Sequence, residues 1–341
     1  MNRIVLALAA FFILAPVAAQ AASFDCAKAS TSFETAICSD PEISRADEVL
    51  AQAYATALGG LSKAAASEVI SAQKSWLAYA ERVCSADAEP IATDYDEDQL
   101  KCLGSAFRSR IGDLEASRMQ GGYRFYPVDR YLVQKDTEAE PDAFNKLADK
   151  AFHTVKIDRS DDTAAAFNAM VDGLMADQGT FFETGTSKIA TDDVTSDYDI
   201  ATKVKDVTSR RITLETNQWW YGHGAAHGNY FVSYGHFLVD EKRPLVPSDI
   251  FEGSWEERLS EIALPAIKAK LGEDYFDGSD DNVASIAIDP RRWDLTPEGL
   301  VIQFNIYEVT AYAAGAPTLT IPWAQLEGVL TDQADSIAGF Y

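Results

Sequence analysis

The chain has 341 residues, of which 47% are hydrophobic and 11% aromatic. This composition excludes a wholly disordered chain, and the length predicts about two domains, each able to bury a core. With 29 Lys and Arg against 53 Asp and Glu, the formal net charge is −24. Such a charge excludes nucleic acid and anionic lipid headgroups as partners and favours basic proteins, although it also suits any acidic secreted protein that is kept soluble by its charge.

Residues 1–21 have the pattern of a secretory signal peptide. Met1-Asn2-Arg3 is a charged start, an apolar run ends at Val17, and Ala19-Gln20-Ala21 is a small-residue cleavage site. The apolar run falls short of the ~20 residues that a membrane span needs. We therefore predict cleavage after Ala21, a mature protein that is periplasmic or secreted, and no stable membrane insertion.

Residues 22–119 have the pattern of an all-α module. Thr31 and Glu34 form a capping-box pattern that predicts a short helix ending near Cys38. Asp40 and Pro41 suit the start of a second helix, because Asp is a good N-cap and Pro fits the first helical position. Apolar residues at helical spacing predict two further helices, at 69–84 and 100–114.

All the cysteines of the chain lie in this module, at Cys26, Cys38, Cys84 and Cys102. An even number of cysteines in an oxidising compartment indicates disulfides, and four cysteines allow three connectivities. Up-down-up helices place the end of one helix beside the start of the next, which favours Cys84–Cys102, and Cys26 can fold back on Cys38. Neither pair has the two-residue spacing of a zinc site, and no histidine lies nearby.

Short motifs in the same module resemble the LprI-type lysozyme-inhibitor domain over residues 24 to about 118. They are Phe24-Asp25-Cys26, Glu34-x-x-Ile37-Cys38, Asp40-Pro41, Gln73-x-x-Trp76, Cys102-Leu103 and Arg110-Ile111. The resemblance implies a secreted helical module, and some members of that family are linked to lysozyme inhibition.

Residues 123–341 have the pattern of an α+β domain with an antiparallel sheet, which begins after Gly121-Gly122. Strands segregate from helices along this part of the chain, which is typical of the α+β class. Predicted helices lie at 164–175, at 255–271 and around 324–330. Predicted strands lie at 198–204, 211–216, 230–239, 283–288 and 318–322, with a hairpin formed by 293–295 and 300–309.

Motifs in this second part, clearest over 217–331, resemble the extracellular domain of the anti-sigma factor RsiV. They include Asp249-Ile250-Phe251, Leu295-Thr296-Pro297-Glu298-Gly299-Leu300, Tyr307-Glu308-Val309 and Ile321-Pro322. The resemblance implies lysozyme binding as a signal, as in RsiV, or an accessory role, as in some peptidoglycan deacetylases. Those relatives usually carry Gly-Gly-Ala-His, where this chain has Gly224-Ala225-Ala226-His227.

The stretch from Trp219 to Asn229 is the candidate binding loop. Its glycines permit positive φ angles, and His223, His227 and His236 lie within 14 residues although the chain has only four histidines. Muramidases carry two acidic residues in a cleft, which histidine donors could hydrogen-bond. The predicted partner-binding residues are Trp220, Tyr221, Gly222, His223, Gly224, His227 and Asn229. The alternatives are a metal site, although no carboxylate ligand is evident, and a structural loop whose histidines cap backbone groups.

The chain lacks Gly-x-Ser-x-Gly, P-loop and His-Glu-x-x-His motifs, and Ile288 stands where an EF-hand loop needs Glu. We therefore predict no catalytic residues, no metal and no cofactor. The predicted function is binding of a basic lysozyme-type muramidase, as inhibitor or sensor, at the cell envelope. The alternatives are a peptidoglycan-modifying enzyme or accessory protein with a metal site at the histidine loop, and a structural envelope protein.

Overall fold

The structure, a computed structural model, describes residues 22–177 and 193–340, so the predicted signal peptide lies outside the described residues. The helices are α1 (Ser32–Ser39), α2 (Pro41–Leu58), α3 (Lys63–Ala80), α4 (Glu97–Leu114), α5 (Asp162–Asp177), α6 (Trp255–Leu271), α7 (Asp280–Ala287) and α8 (Ala334–Ala338). The strands are β1 (Met119–Gln120), β2 (Tyr123–Lys135), β3 (Leu147–Ile157), β4 (Ser196–Val207), β5 (Arg211–Gly222), β6 (Asn229–Leu238), β7 (Arg243–Pro244), β8 (Trp293–Thr296), β9 (Gly299–Gln303) and β10 (Thr318–Pro322). This order confirms the predicted fold class, a helical region followed by an α/β part with a mostly antiparallel sheet.

Local capping interactions determine where the first helices begin. The backbone N–H of Glu34 donates to Thr31 Oγ1 (3.1 Å), and the Glu34 carboxylate accepts from the backbone N–H of Thr31 (3.1 Å). Asp40 accepts from two backbone N–H groups at the start of α2, where Pro41 is the first helical residue. These contacts satisfy donors that the first turn of a helix leaves unpaired.

Two disulfides staple the helical module, which is the segment that carries α1 to α4. They join Cys26 to Cys38 and Cys84 to Cys102, which confirms the favoured connectivity. Aromatic rings fill the core between the helices: Phe107 of α4 lies 5.1 Å from Trp76 of α3 and 6.3 Å from Phe33 of α1, between ring centroids. Trp76 and Phe107 are each only 1% exposed.

The large sheet contains β1 to β7 in chain order. Neighbouring strands are antiparallel except β3 and β4, which are parallel and are connected through α5. A parallel pair needs such a crossover, because a tight turn can only reverse the chain. Helix α5 packs on this sheet through Phe167 and Val171, in a core that also contains Phe125, Ile212 and Phe237.

The small sheet has the order β10-β9-β8 and shares a core with α6, α7 and α8. Strands β8 and β9 form a hairpin with Pro297 and Glu298 at the turn, as the sequence predicts. Gly299 allows the close approach of β10, because a Cβ at that position would lie 2.3 Å from the carbonyl oxygen of Ile321. Within the described ranges, no helix is both long and apolar enough for a membrane crossing.

Three predicted elements of the second part are wrong. The predicted strand at 283–288 is helix α7, because the acidic residues at its start favour a helix N-terminus and Val283, Ile286 and Ala287 are buried at helical spacing. The predicted strand at 300–309 ends at Gln303. The predicted helix around 324–330 is two short 3-10 turns, and the α-helix begins only at Ala334.

The helical module and the large sheet share a core. Tyr126 and Val128 of β2 belong to the same buried cluster as the helical residues Trp76 and Phe107. A buried ion pair joins the guanidinium of Arg110 in α4 to the carboxylate of Asp129 in β2. The core of the helical module therefore extends past Gly122.

Candidate functional site

The candidate binding loop is the tip of the β5–β6 hairpin. Trp220 lies opposite Asn229 and Trp219 lies opposite Tyr230 in the antiparallel register. The backbone turns through residues 223–228, where Gly224 has a φ of +82°. At Gly228 a Cβ would lie 2.7 Å from Trp219 Nε1, so the indole closes over a position where only glycine fits. Residues 224–227 are exposed at the end of the hairpin.

His223 is held inside the protein by two carboxylates. Its Nδ1 donates to Asp136 (2.5 Å) and its Nε2 donates to Asp197 (3.2 Å). Burial lowers the pKa of His223, but the hydrogen bonds to Asp136 and Asp197 outweigh it and raise the pKa above its ordinary value. Since both ring nitrogens donate within the chain, His223 anchors the tip to the ends of β2 and β4.

His227 lies at the surface within a group of tyrosines. Its Nδ1 donates to the carbonyl of Gly228 (3.0 Å), and its Nε2 accepts from the Tyr307 hydroxyl (3.1 Å). The imidazole stacks on Tyr312, with ring centroids 4.0 Å apart. Tyr307 is 50% exposed, so this cluster presents aromatic surface beside the tip.

His236 is part of the core. Its Nε2 donates to the carbonyl of Trp293 (2.8 Å), and its Nδ1 accepts from the Thr213 hydroxyl (3.2 Å). Burial, reinforced by the charge of Arg211, lowers the pKa of His236 to about 3, so the ring is neutral. The three histidines therefore occupy three separate environments. Among the described residues, no group of three or more His, Cys, Asp or Glu side chains could hold a metal ion.

An acidic loop runs alongside the hairpin tip and forms a groove with it. The loop connects β2 to β3 at 136–146 and exposes Glu138, Glu140 and Asp142. A cavity of about 410 Å³, which we call the tip groove, lies between this loop and the hairpin tip. Phe144, which is fully exposed (103%), lines the groove together with Tyr221 and His223.

A second cavity, the inner cavity, lies between the helical module and the large sheet, with a volume of about 350 Å³. Sequence analysis missed it, because its charged residues are far apart in the chain and come together only when α3 and α4 pack on the large sheet, which they contact through β2. The polar lining residues include Arg110, Asp113, Asp149, His153, Asp197 and Asp199. One of them, Arg110, belongs to the Arg110-Ile111 motif, but that motif indicated only a resemblance to the LprI-type domain and no cavity.

Ionisable groups around the inner cavity have strongly shifted pKa values. Burial lowers the pKa of His153, but its hydrogen bond to Asp129 (3.2 Å) and the nearby charge of Asp113 outweigh it and raise the pKa to about 9. Burial raises the pKa of Asp149 to about 7, and the negative charges of Asp197 and Asp199 act in the same direction. Perturbed groups that cluster in a cavity are a feature of functional sites.

The protein therefore consists of a helical module with two disulfides joined to an α/β part. The tip groove and the inner cavity are its candidate binding surfaces. Residues 26–114 match the family model of the lysozyme inhibitor LprI. Residues 248–324 match the model of DUF3298, a family described as proteins of unknown function. The two models match the regions where the sequence resembles the LprI-type and RsiV-type domains, so the recognition of two known domains is confirmed.

The comparison with solved structures finds DUF3298 family proteins. A member from Bacteroides fragilis has 15% sequence identity and a TM-score of 0.47, and the match covers 65% of this chain and 99% of that chain. A protein from Pseudomonas aeruginosa has 14% identity and a TM-score of 0.43, over 64% of this chain and 98% of that one. The comparison with curated proteins finds no match.

Proposed function

We propose that the chain is a periplasmic or secreted protein that binds a basic lysozyme-type muramidase and inhibits or senses it. The observation that carries this proposal is the match of residues 26–114 to the lysozyme inhibitor LprI. The match spans both disulfides and all four helices of the helical module. The signal-peptide pattern of residues 1–21 supports a location outside the cytoplasm.

The hairpin tip and the tip groove form the surface that best fits such a partner. The carboxylates of Glu138, Glu140 and Asp142 are exposed beside Phe144, so an acidic loop surrounds an apolar anchor. Aromatic anchors with charged rims are common in protein interfaces. His223 holds the tip in place, whereas the exposed segment 224–227 contacts the partner.

A muramidase assay with added protein tests the proposal. We expect the full chain to slow the hydrolysis of cell walls by a basic muramidase in proportion to its concentration. A double variant, Ala225→Lys with Ala226→Lys, adds positive charge at exposed positions of the tip and should weaken inhibition, since it repels a basic partner. The matched control is Ala324→Lys, which adds positive charge at an exposed position away from the tip.

The outcomes separate the parts of the proposal. If the double variant inhibits as well as the unaltered chain, the tip is not part of the interface, and binding is then assigned to the helical module. Absence of both inhibition and binding with every muramidase tested would contradict the proposed function. Metal analysis of the same sample tests the enzyme alternative, which would be favoured by stoichiometric zinc without inhibition.

A further inference from the structure

The inner cavity has the size and position of a small-ligand site. Its volume of about 350 Å³ falls within the range of about 300–1,000 Å³ that is usual for such pockets. It lies at the junction of the helical module and the large sheet, and junctions between structural units are common places for ligand sites. No described residue lines both the tip groove and the inner cavity.

Two residues that line this cavity, Arg110 and Asp149, each carry a buried polar atom without a partner among the described residues. Arg110 is 0% exposed and lines the cavity, and its Nη2 donor makes no hydrogen bond, although its other nitrogens bind Gln73, Asp129 and Tyr131. Asp149 also lines the cavity, and its Oδ1 is buried without a partner, while its Oδ2 accepts from the Tyr79 hydroxyl (2.8 Å). Buried polar groups in folded proteins are normally paired, so the unpaired donor of Arg110 and the unpaired acceptor of Asp149 are candidates for hydrogen bonds to a polar ligand.

The chemistry of the two atoms selects the class of ligand. A simple cation would pair with Asp149 and leave the Arg110 donor unpaired beside a second positive charge. A simple anion would pair with Arg110 and face the carboxylates of Asp113, Asp149, Asp197 and Asp199. A neutral ligand whose groups both donate and accept satisfies Arg110 and Asp149 together, and hydroxyl and acetamido groups have this property.

Aromatic rings supply the apolar part of the site. Trp76, Tyr79, Tyr131, Tyr198 and Trp219 line the cavity. The rings of Tyr79 and Tyr131 lie with centroids 5.2 Å apart. Trp219 is 41% exposed and offers an indole surface to a ligand that enters from solvent. A few fixed polar groups among aromatic rings are the usual lining of a small-molecule site.

We propose that the inner cavity binds one unit of a neutral saccharide. A hydroxyl or acetamido group of the sugar accepts from Arg110 and donates to Asp149, and Trp219 covers the apolar face of the ring. This inference goes beyond the proposed function, because it assigns a small-molecule ligand to a site other than the tip.

Calorimetric titration of the full chain tests the proposal. The probes are N-acetylglucosamine, whose acetamido group has one donor and one acceptor, and its β-1,4-linked dimer, with ethylammonium and acetate as the simple cation and anion. We expect saturable binding of the two saccharides and none of the ions. Trp219→Ala should weaken saccharide binding about tenfold. Phe231→Ala is the matched control, since Phe231 is similarly exposed (38%) but does not line the cavity.

Arg110→Met removes the buried donor directly, but Arg110 also stabilises the fold. The Trp219→Ala variant leaves Arg110 in place and therefore tests saccharide binding independently. The proposal is overturned if neither saccharide binds saturably, if only one of the ions binds, or if Trp219→Ala binds saccharide as well as the unaltered chain does. The muramidase assay contains none of these probes and uses variants at the tip, so its failure and the failure of this proposal are distinguishable.

Discussion

The buried guanidinium of Arg110 connects α4 to the large sheet. Its Nε donates to Gln73 (2.9 Å) and its Nη1 donates to Tyr131 (3.0 Å) and to the carboxylate of Asp129. Both side chains of the ion pair are almost fully buried. A buried pair of this kind adds little net stability, because desolvation opposes the attraction, but the loss of one partner leaves the other charge uncompensated.

Removal of the Arg110 charge should therefore be strongly destabilising. We expect Arg110→Leu to lower the free energy of unfolding by up to about 3–5 kcal/mol, since Asp129 stays buried and keeps only His153 as a charged partner among the described residues. The double variant Arg110→Leu with Asp129→Leu should recover a large part of that loss. Chemical denaturation measures both. Arg108→Leu, at an exposed position of the same helix, is the control, and an equal effect of the two single variants would refute the role of the buried pair.

His153 makes stability depend on pH. Its pKa is raised to about 9 in the folded protein, whereas an unfolded chain has a histidine pKa of about 6.5. The protonated ring therefore stabilises the fold fully below pH about 6.5, and this contribution is lost as the pH rises through about 9. We expect the free energy of unfolding to fall by about 1–3 kcal/mol across that interval.

Urea denaturation at a series of pH values measures this effect. In His153→Gln the fall between pH about 6.5 and about 9 should be absent or much smaller. Retention of the full pH dependence in that variant would assign it to other groups. Asp149, whose pKa is raised to about 7, acts in the same direction at lower pH, because the folded state holds its proton more tightly than the unfolded state does.

At the scale of elements, the disulfides fix helices whose core is small. Cys84–Cys102 closes 18 residues and joins the turn after α3 to α4, whereas Cys26–Cys38 closes 12. Crosslinks stabilise mainly by restricting the unfolded chain, and the effect grows slowly with loop length.

Removal of each bridge by paired Cys→Ala substitution should lower the free energy of unfolding by about 3 kcal/mol. The loss should be slightly larger for Cys84 with Cys102 than for Cys26 with Cys38, because the closed loop is longer. Thermal unfolding of the two double variants checks this order. A bridge that can be removed without any change in stability would show that the packing of Trp76 and Phe107 suffices for the helical module.

Elements with local signals could be predicted from the sequence. The capping contacts of Thr31 and Asp40 determine helix starts within a few residues, so these helices were predictable. The segment 283–288 was not, because a short apolar run is compatible with both a buried strand and a helix. Its helical state is decided by packing of Val283, Ile286 and Ala287 in the core of the small sheet.

At the scale of the whole molecule, the polar contacts that shape both cavities were beyond sequence analysis. Asp136 and His223 are 87 residues apart in the chain, and Arg110 and Asp129 lie on different elements. Neither pair has a spacing that predicts contact. The sequence did indicate the hairpin tip, because its glycines and aromatic residues are unusual. It could not show that both ring nitrogens of His223 are hydrogen-bonded to the carboxylates of Asp136 and Asp197.

Net charge should control the rate at which a basic partner is bound. The formal charge of −24 attracts a cationic protein at long range, and salt screens this attraction. Electrostatic steering therefore raises the association rate more than it slows dissociation. We expect the association rate constant with a basic muramidase to fall steeply as the salt concentration rises, with a small change in dissociation. Surface plasmon resonance at several ionic strengths measures both, and salt-independent association would contradict steering.

The chain-order arrangement of the large sheet has a consequence for how the protein folds. Every strand from β1 to β7 pairs with its neighbour in the chain, so most strand contacts are local, and local contacts form fast. The exception is the parallel seam between β3 and β4, which has only four paired residues on each strand, from Lys150 and Tyr198 to His153 and Ala201. Because that seam requires closure of the crossover through α5, we expect the hairpins on its two sides to form first and the sheet to be completed last at β3 and β4. The inner cavity borders this same seam, so we expect its lining to be completed only when β3 and β4 pair.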